Sequence, residues 1–201
     1  RGVYRTKDGG KTWDRILYVN DRTGAGDFIV DPSNPNRMLV SMWEYRRWPW
    51  FFKSGGAGSA LYLTVDGGDS WKKLTSKDGI PDGELGKMGL AWAKNNPNVV
   101  YALIESKKNA LYRSDDGGST WKESERPPRF RPKEEYETSN LAADDARRQG
   151  LTLDHVFFLA PGHARQPGLW FAGSSPIGLF KSEDDGVTWD GVSGFNDAPA
   201  L

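Results

Sequence analysis

Ser114-Asp115-Asp116-Gly117-Gly118-Ser119-Thr120-Trp121 is a stretch that this chain writes four times. It aligns without gaps with Thr6-Lys7-Asp8-Gly9-Gly10-Lys11-Thr12-Trp13 and Thr64-Val65-Asp66-Gly67-Gly68-Asp69-Ser70-Trp71. The fourth copy is Ser182-Glu183-Asp184-Asp185-Gly186-Val187-Thr188-Trp189. Repetition of this kind is the mark of an architecture built from one recurring unit. Each position has a chemical reason. Asp8, Asp66, Asp116 and Asp184 can accept hydrogen bonds from N–H groups of their own turn. Gly10, Gly68, Gly118 and Gly186 supply the positive φ of a tight hairpin. Thr12, Ser70, Thr120 and Thr188 can bond the loop, and Trp13, Trp71, Trp121 and Trp189 anchor the departing strand. The clustered acids lack the spacing and closing Glu of a helix-loop-helix calcium site. The stretches are therefore read as structural, with no metal site and no cofactor expected.

Working outward, the turns sit between runs that read as short strands. In the plainest unit these are Lys87–Ala93, Val99–Glu105, Ala110–Ser114 and Thr120–Ser124. The unit before it gives Asp27–Asp31, a turn at Pro32–Asn36, Arg37–Tyr45, an insertion, Ala60–Thr64 and Ser70–Leu74. The last gives His155–Ala160, Leu169–Gly173, Gly178–Ser182 and Thr188–Val192. The first turn has only Val3–Thr6 and Thr12–Leu17 beside it. The expected fold is all-β, built from four-stranded antiparallel meanders. The count is about three and a half units: a half unit at 1–19, units at 26–75, 86–125 and 153–194, and an insertion at 126–152.

Composition bounds the function. The 201 residues carry 27 basic and 27 acidic side chains and no cysteine. Zero net charge removes the electrostatic footprint of a nucleic-acid binder. No apolar run is long enough to span a bilayer, and disulfides are excluded. No leader or lipidation motif is visible, and the chain starts at Arg1, which suggests processing or excision from something longer. Nine Trp among 24 Gly and 12 Pro argue for ordered strands and tight turns.

The repeated pattern resembles the Asp-box, or BNR repeat, of sialidases, xyloglucanases, photosystem II assembly factors and the sortilin propeller. The segment Met42-Trp43-Glu44-Tyr45-Arg46-Arg47-Trp48-Pro49-Trp50-Phe51-Phe52-Lys53 with its Gly-Ser return resembles bacterial sortilin-like members, often labelled glycosyl hydrolases. The resemblance implies a propeller with one Asp-box in each blade's outer hairpin. It also implies a secreted, periplasmic or cell-surface location. It does not transfer an active site. Three and a half blades imply a larger propeller, or one completed by a second copy or a partner, because closure protects strand edges.

Two long insertions, Arg46–Ser59 and Glu125–Thr152, are expected at the end of the blades away from the Asp-boxes. Long loops on a rigid scaffold commonly carry function. Arg46, Arg47, Trp48, Trp50 and Phe51 combine cations with aromatics, as recognition surfaces do. Asp154 and His155 are candidate ligand contacts near the propeller axis. The Gly-rich run 54–59 is read as a flexible return. In the second insertion a helix is expected over Leu141–Gln149, and Phe130-Arg131-Pro132 only partly matches the sialidase Arg motif. Among acids near the axis, Asp27 and Glu44 lie on neighbouring strands and form the best candidate pair for a glycosidase.

Two functions follow. The first is a non-catalytic Asp-box propeller that binds a protein or peptide or scaffolds an assembly. The alternative is a polysaccharide-acting hydrolase, xyloglucanase- or sialidase-like, or a piece of one. No nucleic acid is expected as a partner, and a glycan is a second candidate ligand.

Overall fold

The computed structural model describes residues 1–107, 109–129, 155–175 and 177–196. The expected helix at 141–149, the 130–132 motif and Asp154 lie outside the described residues. The chain divides into two compact units, residues 1–108 with 112–122, and 109–111 with 123–201.

In the first unit, β1 (Val3–Arg5) pairs with β2 (Asp14–Leu17) as a two-stranded sheet. The next sheet is a meander of β3 (Thr23–Asp31), β4 (Asn34–Trp48), β6 (Ala60–Thr64) and β7 (Lys72–Lys73). A further strand, β5 (Phe51–Ser54), pairs with β4 alone. The third meander runs β8 (Met88–Trp92), β9 (Val100–Ile104), β10 (Ala110–Ser114), β11 (Lys122–Glu123). Strand β9, Val-Tyr-Ala-Leu-Ile, is buried on both faces, which is why it reads as a continuous apolar run rather than an alternation. Leu17, Val40 and Met42 form a core cluster against Val3, Val19, Tyr62 and Trp71.

The second unit holds a meander of β12 (His155–Pro161), β13 (Trp170–Ser175), β14 (Gly178–Ser182) and β15 (Asp190–Gly191). Trp170, Ala172, Phe180 and Trp189 are its buried apolar residues. A single helical turn, α1 (Ser193–Asn196), follows. Its Asn196 side chain accepts the Leu179 N–H at 2.7 Å and donates to the Leu179 carbonyl at 2.8 Å. The expected Pro32–Asn36 turn tightens to Pro32-Ser33, with β4 starting at Asn34. Asp31 takes both the N–H and hydroxyl of Ser33 at 2.7 Å, and this closes the turn early.

All four Asp-boxes form the same hydrogen-bond circuit. In the third, Asp116 Oδ1 accepts the Thr120 N–H at 2.9 Å and the Ser114 hydroxyl at 2.8 Å. Its Oδ2 accepts the Thr120 hydroxyl at 2.6 Å, and Ser114 Oγ accepts the Gly118 N–H at 2.8 Å. The Thr12 hydroxyl and N–H, joined by Thr6, hold Asp8 at a pKa of about 2. For Asp116 and Asp184 burial works the other way, but the hydroxyl and N–H donors outweigh it and both are lowered. Gly118 has φ 94°, and a Cβ there would stand 2.4 Å from Leu39 Cδ1. Two constraints thus demand glycine at one position.

The four Trp residues are not equivalent anchors. Trp121 and Trp189 are buried, whereas Trp13 is 58% exposed. The difference lies in what covers them. The Trp121 N–H donates to the Asp78 carbonyl at 2.8 Å, and the Trp189 N–H to the Arg126 carbonyl at 2.9 Å. In both, the segment following one blade lies along the box of the next. No such segment lies along Trp13 among the described residues. The indole N–H of Trp13, Trp121 and Trp189 bonds the box Gly carbonyl at 3.1, 3.0 and 3.1 Å. That of Trp71 is buried without a partner.

Candidate functional site

Strand β4 outruns both neighbours. Its pairing with β6 ends at Met42↔Ala60 and with β3 at Thr23↔Glu44, yet it continues to Trp48. It then turns through Pro49-Trp50 and returns as β5, in register Tyr45↔Ser54, Arg46↔Lys53, Arg47↔Phe52 and Trp48↔Phe51. Proline suits the second position of such a turn because its ring presets φ. The expected insertion is therefore a two-stranded ribbon, and strand alternation gives it two chemically distinct faces.

One face carries Trp43, Tyr45, Arg47, Phe52 and Ser54. Trp43 and Tyr45 stack with centroids 4.3 Å apart at 27°, and Phe52 meets Trp43 edge-on at 6.0 Å. The Trp43 indole N–H donates to Ser54 Oγ at 3.0 Å, and the Ser54 hydroxyl donates to Glu105 Oε2 at 2.6 Å. The same oxygen accepts the Lys87 N–H at 2.7 Å. Thus Glu105, at the end of β9, fixes the base of a ribbon that grows from β4.

The other face carries Glu44, Arg46, Trp48, Phe51 and Lys53. Arg46 lies over the Trp48 ring at 5.4 Å, and Trp48 meets Phe51 at 5.8 Å. At the tip, Trp50 is 81% exposed and Phe51 57%. Beside this face lies an open cleft of ≈ 460 Å³, lined in part by Arg22, Glu44, Arg46, Trp48 and Lys53. Arg22, Arg46 and Arg47 make no ion pair among the described residues.

The return, expected to be flexible, is packed. Gly55, Gly56, Gly58 and Ser59 are buried. The Gly55 N–H donates to the Glu44 carbonyl and the Gly58 N–H to Glu44 Oε2, both at 2.9 Å. A Cβ on Gly58 would come within 2.1 Å of Thr23 Oγ1. Glycine is needed here for close approach rather than for freedom.

The candidate carboxylate pair does not form. Asp27 pairs with Ser41 after a bulge at Gly26, so it shares the face of Ser41, whose hydroxyl reaches the Met88 carbonyl at 2.9 Å. Asp27 Oδ2 accepts the Leu90 N–H of β8 at 2.8 Å, and Oδ1 the Phe28 N–H at 2.8 Å. Glu44 stands three residues beyond Ser41 and projects from the opposite face of the same sheet. Both carboxylates hold backbone, on opposite sides.

His155 begins β12 opposite Ser175 in the second unit. Among the described residues no group of three or more His, Cys, Asp or Glu is placed to hold a metal ion, and no helix is long and apolar enough to cross a membrane. Sequence reasoning named Arg46, Arg47, Trp48, Trp50 and Phe51 but passed over Lys53, Phe52 and Arg22. Pro49 between two aromatic-rich runs was the signal for a ribbon, and a two-residue turn at Pro49-Trp50 would have put Lys53 opposite Arg46.

Comparison with known proteins locates this architecture. A xyloglucanase from Paenibacillus sp is 23% identical over 202 residues, covering 96% of this chain and 19% of that protein. Xyloglucanase Xgh74A from Acetivibrio thermocellus is 27% identical over 206 residues, covering 96% of this chain and 23% of its own length. The chain thus spans about a fifth of the length of these relatives. Among solved structures, the GH74 xyloglucanase from Xanthomonas campestris superposes with TM-score 0.59 at 20% identity, over 96% of this chain and 27% of that one. An ancestral GH74 enzyme gives TM-score 0.57 at 16% identity, over 94% and 21%. Likeness at this identity shows the shared fold, that of β-propeller blades. A family model described as sortilin, neurotensin receptor 3, matches residues 1–145, and on that match the chain belongs to the Sortilin-Vps10 family.

Proposed function

We propose that this chain is a non-catalytic part of a propeller that binds a protein or peptide through the β4–β5 ribbon. The observation that carries the reading is a contrast within one sheet. Its two best-placed carboxylates, Asp27 and Glu44, are engaged by backbone N–H groups and face apart. A glycosidase needs two carboxyl groups facing one bond. The ribbon meanwhile leaves Trp50 and Phe51 in solvent and Arg46 and Arg47 without ion pairs. Exposed aromatics beside arginine are the side chains that dominate protein recognition. Membership of the Sortilin-Vps10 family supports a binding role. A location outside the cytoplasm accords with relatives named for acting on a polysaccharide, and further chain or a partner completes the propeller ring.

A second reading has its own support, because named xyloglucanases align over 96% of this chain. Under it, these blades are a piece of a glycoside hydrolase, with its acids supplied elsewhere, and the ribbon aromatics stack on sugar rings. Two assays separate the readings. Xyloglucan depolymerisation is measured by reducing-end release, and a random peptide-display library is selected against the chain and against a variant with Arg46–Lys53 replaced by a Gly-Ser turn. The binding reading expects no release and enrichment lost in the variant. Xyloglucan cleavage, or enrichment unaffected by the replacement, overturns it.

A further inference from the structure

One feature of the ribbon runs against its own stability. Arg46 and Lys53 are registered directly opposite each other, so two cations share one face, and like charges so placed repel. Arg22 lines the same cleft, and neither it nor Arg46 has an ion-pair partner among the described residues. Lys53 reaches only Glu84, at 3.4 Å, with both side chains about half exposed. Glu44 lies on this face, but its Oε2 holds the Gly58 N–H. Asp21 also lines the cleft, so four cations, Arg1, Arg22, Arg46 and Lys53, face two carboxylates, Asp21 and Glu44, and the cleft beside the Trp48 ring is net positive. A second feature lies along the same element. Strand β5 pairs with β4 alone, so its outer edge near the tip presents unpaired backbone N–H and C=O groups, although just beyond it Gly56 bridges Leu85.

We infer that this face captures an extended acidic peptide, laid as an added strand along β5 with its carboxylates on Lys53 and Arg46. The inference rests on the proposed binding role of the ribbon and names the chemistry of the partner. Main-chain bonds to an open edge supply affinity, and alternate side chains supply specificity. Alternation puts every second acidic side chain of an added strand on the cationic face. Guanidinium groups bind carboxylates through paired N–H donors. Two observations favour a peptide over other polyanion carriers. The cations line a concave cleft, which a flat bilayer surface does not enter. Guanidinium groups already lie over Trp48 and Phe52, at 5.4 and 5.1 Å, on ring faces a neutral sugar would stack against.

The test uses the full chain and fluorescence anisotropy with a labelled peptide of alternating Glu and Val, beside its Lys-Val counterpart. The Glu peptide is expected to bind, more weakly as salt is added, and the Lys peptide is not. The double variant R46Q/K53Q is expected to bind the Glu peptide about tenfold or more weakly. Its thermal midpoint should stay level or rise, since the repulsion is gone. Equal binding of the two peptides, or unchanged affinity in R46Q/K53Q, overturns the inference. So does tighter binding to polygalacturonate or to phosphatidylglycerol vesicles than to the Glu peptide. A library-selected peptide separates this failure from that of the broader reading. If W50A/F51A abolishes its binding while R46Q/K53Q does not, the acidic chemistry falls and the ribbon remains the binding surface. If neither variant weakens it, both readings fall.

Discussion

Glu44 Oε2 accepts the Gly58 N–H at 2.9 Å across the base of the ribbon, and the Glu44 carbonyl takes the Gly55 N–H at the same distance. One residue therefore ties both ends of the excursion from β4. Glu44→Ala leaves the Gly58 N–H without an acceptor, at an expected cost of about 1–3 kcal/mol. Gly58→Ala drives a methyl toward Thr23 Oγ1, with an expected cost of the same order or larger. Urea melts of the two variants check this, and wild-type midpoints in both would show that the return is not packed.

The box glycines should rank by what faces them. At Gly9, φ is 73° and no atom stands within 4 Å of the place a Cβ would take, so Gly9→Ala carries only left-handed strain, about 1–2 kcal/mol. At Gly118 the same strain is joined by the clash with Leu39 Cδ1, adding about 1–3 kcal/mol. Chemical denaturation should therefore find Gly118→Ala the more damaging change, and the reverse order contradicts the packing.

A similar ranking applies to the box tryptophans. Trp121→Ala removes a buried indole and should cost about 3–5 kcal/mol. Trp13→Ala removes an indole that is 58% exposed and should cost less than about 1.5 kcal/mol. Equal losses of thermal stability would show that Trp13 is covered in solution.

Acid should weaken the fold through the boxes. Asp8, Asp66, Asp116 and Asp184 all have lowered folded-state pKa values. A carboxylate lowered by folding contributes stability that is complete above its unfolded pKa, about 3.9. That contribution is lost as pH falls through the folded value, about 2 for Asp8. Unfolding free energy should be level above about pH 5 and decline steadily below about pH 4. The variant Asp116→Asn should show a shallower decline. A flat profile down to pH 3 would mean that the unfolded chain keeps the same hydrogen bonds.

The blades were legible because the Asp-box is local. Thr120, Asp116, Gly118 and Trp121 satisfy one another within eight residues, so the pattern survives as a string. The strands flanking it followed from period and punctuation. The ribbon was not legible as a site, because its meaning depends on register. Whether Arg46 faces Lys53 or Phe52 is decided by a turn of two residues at Pro49-Trp50. Asp27 shows the same dependence. A single bulge at Gly26 sends its carboxylate to Leu90 and away from Glu44. The burial of Trp121 and exposure of Trp13 depend on Asp78, which lies more than forty residues before the tryptophan it covers.

The central claim is the proposed one, that the ribbon tip binds a protein or peptide ligand. It is tested most directly by the affinity of a library-selected peptide for wild type and for W50A/F51A. The account predicts a loss of about tenfold or more with an unchanged thermal midpoint, because both rings stand in solvent and support no core. Equal affinity in the two proteins would contradict it.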